Sequence, residues 1–182
     1  MRALANVLEL QEYKIAKHRE VVELAVYSAV CFLLPFLLGH PQLVVGTVVN
    51  AALILSALNL PKHKVLPAVI LPSLGVISRG LVFGPFTHLL IITMPFIWLG
   101  NYVLILTIKY LYLAKRSNKF LAICIAIMLK VAIIYLAAIL LINSGVLPKI
   151  FATSMGLTQI YTAVLGALLA LSVNKLIKSN AK

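Results

Sequence analysis

Three basic or ionisable side chains stand where they could hold an anion. Lys130 lies near the centre of a long apolar segment, where an ammonium group is costly and normally faces the protein interior. Arg79 and His88 flank a stretch rich in glycine and proline, where a guanidinium group could hold a carboxylate or phosphate by two parallel hydrogen bonds. The simpler alternatives are snorkelling to headgroups for Arg79, capping or packing for His88, and bonding to backbone carbonyls for Lys130.

An indole and two amides extend this candidate site. Trp98 and Asn101 fall on about one face of a helix that Pro95 and Gly100 would bend. Stacking on Trp98 and hydrogen bonding to Asn101 suit a small heterocyclic or aromatic ligand, although both residue types are also ordinary at helix interfaces in membranes. The predicted substrate-binding residues are Arg79, His88, Trp98, Asn101, Lys130 and Gln159.

Catalytic and metal-binding patterns are absent from the sequence. It contains no Gly-x-Ser-x-Gly elbow, no His-Glu-x-x-His pair, no paired aspartates and no Walker-type phosphate loop. All acidic residues lie in the first 23 positions, as Glu9, Glu12, Glu20 and Glu23. Without later carboxylates, the chain lacks the usual acid/base groups and ion ligands of membrane proteins. We therefore predict no catalytic residue, no metal and no cofactor, and a driving energy supplied by another subunit.

The elements that must position these residues are apolar helices. Hydrophobic residues make up 63% and charged residues 11% of the chain, at a mean hydropathy of +1.09. This composition excludes a soluble domain, and the apolar runs can cross the roughly 30 Å hydrocarbon layer as helices. The sequence predicts an all-α integral membrane protein, a bundle of six transmembrane helices at residues 21–38, 43–60, 65–83, 86–113, 120–142 and 150–177.

The distribution of basic residues predicts the orientation. With the N-terminus inside, twelve Lys and Arg residues fall on the inner side and two, Arg79 and Lys149, on the outer side. Because Lys and Arg in short loops stay cytoplasmic, both termini are predicted to face the cytoplasm of a multi-pass cell-membrane protein. The formal charge of +12 is then explained by topology and by anionic headgroups of the lipid bilayer, and not by nucleic acid.

The chain is predicted to divide into three parts. Residues 1–20 form a cytoplasmic amphipathic segment, because Leu4, Val7 and Leu8 recur at helical spacing opposite polar residues; a frayed polar tail is the alternative. Residues 21–178 form the six-helix substrate-binding domain, and residues 179–182 a cytoplasmic tail. In the first span, Ala25 and Ala29 stand four residues apart, a spacing that lets a partner helix approach closely.

This layout resembles the substrate-binding S-components of energy-coupling factor transporters over residues 21 to 178. The resemblance rests on six spans with both ends inside, Ala25-x-x-x-Ala29, the break at residues 80–85 (Gly-Leu-Val-Phe-Gly-Pro), and the stretches 95–101 (Pro-Phe-Ile-Trp-Leu-Gly-Asn) and 163–169 (Ala-Val-Leu-Gly-Ala-Leu-Leu). It implies a subunit that captures a vitamin or related micronutrient from outside. Such a subunit docks on a transmembrane scaffold, here through Ala25 and Ala29, and two cytoplasmic ATPases supply the work.

Two departures from the family pattern bear on the ligand. Residues 86–88 (Phe-Thr-His) follow the Phe-Gly-Pro stretch where the family often has another glycine, so the local ligand contacts differ. Arg2 follows Met1, where metal-importing relatives place a histidine, and this disfavours metal uptake. The cations among the candidate residues favour a carboxylate-bearing or otherwise anionic solute.

Two other classes of function remain open on the sequence alone. A structural membrane protein that scaffolds other subunits would have no ligand-filled cavity. An integral membrane enzyme would use Lys130, His88 or Ser154 as nucleophile or base. A stand-alone secondary transporter is disfavoured by the missing acids and by the lack of an internal repeat.

Overall fold

The structure is a computed structural model that describes residues 6–12, 16–38, 41–80 and 84–179. All regular elements in these ranges are helical. The α-helices are α1 (Lys17–Leu37), α2 (Gln42–Asn59), α3 (Leu66–Arg79), α4 (Leu90–Ile108), α5 (Lys119–Asn143), α6 (Ile150–Met155) and α7 (Leu157–Ser179). Turns of 3₁₀ helix at Lys62–Val65 and Gly84–Leu89 lead into α3 and α4, and a π-helical stretch, Lys109–Ala114, extends α4.

Five helical stretches in the described ranges are long and apolar enough to cross a membrane, namely Lys17–Leu37, Gln42–Asn59, Phe86–Ala114, Lys119–Asn143 and Ile150–Leu176. They coincide with five of the six predicted segments, which supports an all-α, multi-pass membrane protein. The remaining segment, α3, has 14 residues, or about 21 Å of helix, and is shorter than the hydrocarbon layer. A third crossing by α3 stays a prediction.

Glycines account for two differences from the predicted segments. Gly80, with φ at 77°, ends α3 directly after Arg79, because glycine adopts the left-handed conformation without steric cost. The predicted continuation over residues 81–83 lies outside the described ranges. The last predicted segment is kinked at Gly156, where a Cβ atom would lie 2.7 Å from Ala152 O and 2.9 Å from Tyr135 Cδ2. A side chain at residue 156 would therefore push α6 away from α5.

The helix α2 is the centre of the bundle. Residues 49–59 of α2 are all buried, because a helix that is apolar nearly all round can be covered on every side. It packs most extensively against α7 and also contacts α1, α3 and α4, while α5 packs against α4. α1 is the least buried of the candidate spans and exposes Val22 and Val26.

Residues 10–12 lie across one end of this bundle, which we call the N-terminal end. Glu12 N donates a hydrogen bond of 2.7 Å to Leu58 O, and Lys109 Nζ donates one of 2.5 Å to Leu10 O. Within the predicted amphipathic segment, residues 6–8 form one helical turn, whereas residues 1–5 and 13–15 lie outside the described ranges, as do residues 180–182 of the predicted tail. The segment thus ties together the ends of α2 and α4.

The Glu12 carboxylate links three further elements at the N-terminal end. It accepts hydrogen bonds from Lys119 Nζ at 2.6 and 2.7 Å, from Tyr112 OH at 3.0 Å and from Asn174 Nδ2 at 2.9 Å. These donors lie on α5, the π-helical stretch and α7. One carboxylate therefore fixes the relative positions of three helix ends.

Glu20 and Glu23 are also paired near this end. Glu20 accepts from Lys64 Nζ at 2.5 Å and from Gln11 Nε2 at 3.0 Å. Glu23 accepts from Tyr27 OH at 2.9 Å and lies 3.4 Å from Arg19 Nε. The Glu20 bonds tie α1 to residues 10–12 and to the turn before α3, whereas the Glu23 partners lie within α1.

Candidate functional site

A cavity of about 130 Å³ lies within the bundle. Its lining comes from the C-terminal halves of α1 and α3, the N-terminal halves of α2, α4 and α7, and the middle of α5, so it faces away from the N-terminal end. Gln42 and Thr158, close to their helix ends, are half-buried, whereas Asn50 and Lys130 are each 2% exposed. The cavity therefore has its mouth at the opposite end, which we call the cavity end, and its floor near the middle.

The cavity combines apolar walls with a small set of polar groups, an arrangement typical of small-molecule sites. The walls include Val45, Val49, Val76, Leu90, Met94, Ile97 and Met155. The polar lining residues are Gln42, Asn50, Ser73, Asn101, Lys130, Thr158, Gln159 and Thr162.

A close approach of α2 and α7 forms the floor. A Cβ atom on Gly166 would lie 2.6 Å from Asn50 Cβ and 2.7 Å from Thr47 O, and one on Gly46 would lie 2.7 Å from Thr162 Cγ2. Small residues at these positions let the two backbones meet. As a result, Asn50 Nδ2 on α2 lies 3.3 Å from Thr162 Oγ1 on α7.

Lys130 reaches this floor from α5. Its Nζ donates to Asn50 Oδ1 at 2.5 Å. The Asn50 amide is oriented for this contact because its Nδ2 donates to Gly46 O at 2.9 Å and to Thr162 Oγ1. The Thr162 hydroxyl donates in turn to Thr158 O at 2.8 Å. The amide oxygen of Asn50 is therefore left to face the lysine.

The Lys130 amine has more donors than partners. A lysine ammonium has three N–H donors, and Asn50 Oδ1 is its one hydrogen-bond acceptor within the described ranges. No Asp or Glu follows Glu23 in the sequence, so this part of the chain has no carboxylate to pair with it. Because a buried charge without a partner is costly, an acceptor that enters the cavity and bonds Lys130 would bind favourably.

Three of the six predicted binding residues line this one cavity, namely Asn101, Lys130 and Gln159. Asn101 is 3% exposed, and its Nδ2 donates to Val69 O at 3.2 Å, which leaves its Oδ1 as an acceptor. Gln159 is half-buried at the mouth side of Thr162. The structure thus brings together predicted residues from α4, α5 and α7.

Arg79 and His88 lie outside the cavity lining. The Arg79 guanidinium donates to Phe36 O at 3.0 Å and to Leu37 O, which are carbonyls of the last turn of α1. It caps a helix whose final carbonyls have no partner within the helix. His88 is exposed in the 3₁₀ turn before α4. A ligand contact by either residue stays a prediction.

Trp98 is also outside the cavity lining, because it lies on a different face of α4 from the one that meets the cavity. Met94, Ile97 and Asn101 line the cavity at spacings of three and four, so Ile97 occupies the place expected for Trp98. Trp98 is half-buried against the main core, and its Nε1 has no hydrogen-bond partner in the part of the chain that the structure describes.

Asn50, Ser73 and Thr162 are the buried polar lining residues that the predicted set omits. A signal for Asn50 exists in the sequence, since an amide inside a long apolar helix needs a partner. The small residues at Gly46 and Gly166 are a second signal, because each stands four residues from Asn50 or Thr162. The sequence does not indicate that the Asn50 amide and the helix contact at Gly46 and Gly166 belong to the same site.

Other candidate positions can also be located. Ala25 and Ala29 are both exposed on α1, where a partner helix could reach them. No group of three His, Cys, Asp or Glu side chains in the described ranges is placed to hold a metal ion. Cys31 is a buried free thiol and Cys124 an exposed one.

Comparisons with protein families, curated proteins and solved structures return no significant match. The fold and the cavity define an all-helical protein, compatible with a multi-pass membrane protein, that has a polar-floored cavity within its described residues.

Proposed function

We propose that this protein is the substrate-capture subunit of an ATP-driven micronutrient importer, of the kind represented by energy-coupling factor S-components. It binds a small vitamin-like solute in the cavity above Lys130. The observation that carries the proposal is this buried amine, which is 2% exposed, lines an open cavity and has one protein acceptor among the described residues. Lys109 at the N-terminal end is also buried with one acceptor, Leu10 O, among the described residues, but it does not line the cavity; Lys130 differs because it faces a space that a ligand can enter.

The orientation follows from the basic residues. Lys64 and Lys119 lie at the N-terminal end, on the side to which the sequence assigns most of the cations. With that end in the cytoplasm, the cavity opens outward, α3 completes a sixth crossing of the cell membrane, and both termini lie on the cytoplasmic side. This orientation suits uptake from outside.

Partner subunits supply the energy that drives import. The spans carry no carboxylates after Glu23, so an ion-coupled relay within this chain is disfavoured. Ala25 and Ala29 on the exposed face of α1 are the proposed contact with a transmembrane scaffold subunit, which links this chain to two cytoplasmic ATPases.

Binding by the purified protein tests the proposal. A panel of micronutrients is screened for stabilisation against heat in detergent, and small molecules retained through purification are identified by mass spectrometry. We expect at least one compound to bind, and Lys130→Met to weaken its affinity by about tenfold or more, since hydrogen bonds to charged groups contribute at least that much. Lys149→Met is the matched control, because Lys149 is exposed and does not line the cavity.

Two results would contradict the proposal. If no compound stabilises the protein and none is retained, a scaffolding role is favoured. If vesicles that contain this chain alone concentrate a solute with a proton or sodium gradient, the dependence on ATPases is wrong.

A further inference from the structure

The cavity is unusual in its charge. Of the described residues that line it, Lys130 alone carries an ionisable side chain. Arg79 and His88 were the other candidates for anion binding. The Arg79 guanidinium is held by two carbonyls of α1, and His88 is exposed outside the cavity lining. Among the described residues, the cavity lining therefore offers at most one positive charge and no negative charge.

We infer that the natural ligand is a monocarboxylate with an apolar body, bound with its carboxylate on Lys130. This inference rests on the proposed function and specifies its ligand class. A single negative charge neutralises a single buried ammonium, and it accepts the N–H donors that Asn50 leaves unused.

Other head groups fit the floor less well. An amine-bearing cation would meet a like charge and no carboxylate, which is repulsive at short range in a low-dielectric site. A phosphate monoester carries a charge of about −1.5 to −2 at pH 7, so part of its charge would stay unmatched. A neutral amide would accept one hydrogen bond and leave the ammonium uncompensated.

The walls determine the rest of the ligand. Between the floor and the mouth, the cavity presents Val45, Val76, Met94 and Ile97. These side chains cover an apolar body by the hydrophobic effect, and the polar lining residues Ser73, Asn101 and Gln159 can bond a few polar substituents on it. The ligand therefore enters with its carboxylate first and its apolar part toward the mouth.

Two matched head-group series test the inference on wild-type protein. The first is benzoate, benzamide, benzylamine and phenyl phosphate, and the second is hexanoate with its amide, amine and phosphate ester. We expect the carboxylate of at least one series to bind at least about tenfold more tightly than its three analogues. Equal or tighter binding of an analogue, or no binding of either carboxylate, overturns the inference.

Substitutions of floor residues test whether the floor causes the preference for a carboxylate. Lys130→Met should bring the carboxylate and the amide to within about twofold of each other, whereas Lys149→Met should keep the wild-type ratio. Asn50→Asp is a second variant, close in shape, that places a carboxylate beside Lys130 and should abolish the preference. A preference that survives in both floor variants overturns the inference.

The two proposals fail separately. If the micronutrient panel yields a neutral or cationic ligand that binds in the cavity, the charge inference is wrong and the capture function stands. If the panel and both series yield no ligand, the capture function itself is wrong.

Discussion

The acids at the N-terminal end of the bundle and the lysine at the cavity end differ in how fully their polar atoms are bonded. At the N-terminal end, Glu12 and Glu20 accept hydrogen bonds from side chains of other elements and so link helix ends, and Glu23 accepts one from Tyr27 within α1. At the cavity end, Lys130 has one amide oxygen and spare donors. The carboxylates of the N-terminal end already have donors within the protein, whereas the spare donors of Lys130 are available to the acceptor of a ligand. Substitutions at the first end should therefore change stability, and those at the second should change binding.

Glu12→Gln should cause the largest loss, about 3 kcal/mol of unfolding free energy, because it removes a buried carboxylate from Lys119, Tyr112 and Asn174. The Glu12 side chain is 8% exposed, so water cannot replace it easily. Unfolding by heat or denaturant in detergent measures the loss, and ligand affinity should stay within about twofold because the cavity is remote.

The pairing of Glu12 with Lys119 can be isolated by a double-mutant cycle. Glu12→Gln and Lys119→Gln combined should cost less than the sum of the single losses, by about 1 kcal/mol or more. Strictly additive losses would show that the two side chains do not stabilise each other.

Gly166→Ala should cost about 2 kcal/mol, because its methyl group would meet Asn50 Cβ at 2.6 Å and Thr47 O at 2.7 Å. Unlike Glu12→Gln, it should also weaken ligand binding, since Asn50 orients Lys130. Thermal unfolding and equilibrium binding measure the two effects. Ala25→Leu, on the exposed face of α1, is the control and should change stability by less than about 0.5 kcal/mol. If Gly166→Ala left ligand affinity unchanged, the packing of α2 on α7 at the floor would not contribute to the binding site.

Lys130→Met should change the stability of the ligand-free protein by no more than about 1 kcal/mol, because removal of a buried charge offsets the unpaired Asn50 oxygen. This contrasts with its large effect on affinity. Unfolding measured without ligand makes the comparison with Glu12→Gln direct. A loss as large as that of Glu12→Gln would mean that Lys130 holds the fold together in the same way.

Asn118→Ala should cause a small loss of unfolding free energy, about 1 kcal/mol, and no change in binding, because the Asn118 side chain caps α5 by accepting from Phe120 N at 2.9 Å and Leu121 N. The loss is measured by thermal unfolding. Asn118→Asp retains the capping oxygen and should unfold close to wild type. Binding should be unaffected, so a change in affinity would place the start of α5 in the ligand site.

Apolar run length located most of the fold, because a bilayer requires about 20 apolar residues per helix whatever the neighbours are. It failed at Gly80 and Gly156, where local backbone conformation and a close helix contact end or bend the helix. The full span predicted at α3 stays a prediction, since the regular helix there has 14 residues and residues 81–83 lie outside the described ranges.

The site was predictable only in part. Lys130 could be identified from the sequence because an ammonium within an apolar helix is costly and needs a partner. Its partner Asn50, however, lies 80 residues away in the sequence. Trp98 was placed on the cavity face by approximate helical spacing, which does not fix the rotation of α4. No pattern in the sequence indicated that the Arg79 guanidinium would lie beside the end of α1, where it donates to Phe36 O.

By itself, the sequence determined the helical, membrane-compatible character of the chain and the lack of carboxylates beyond Glu23, since both are properties of composition and order. The tertiary structure decided which polar groups are satisfied. Asn50 and Lys130 meet because glycines on α2 and α7 let three helices converge, and the acids are bound at the other end. Hydrogen bonding depends on distance in space, which separation along the chain does not encode.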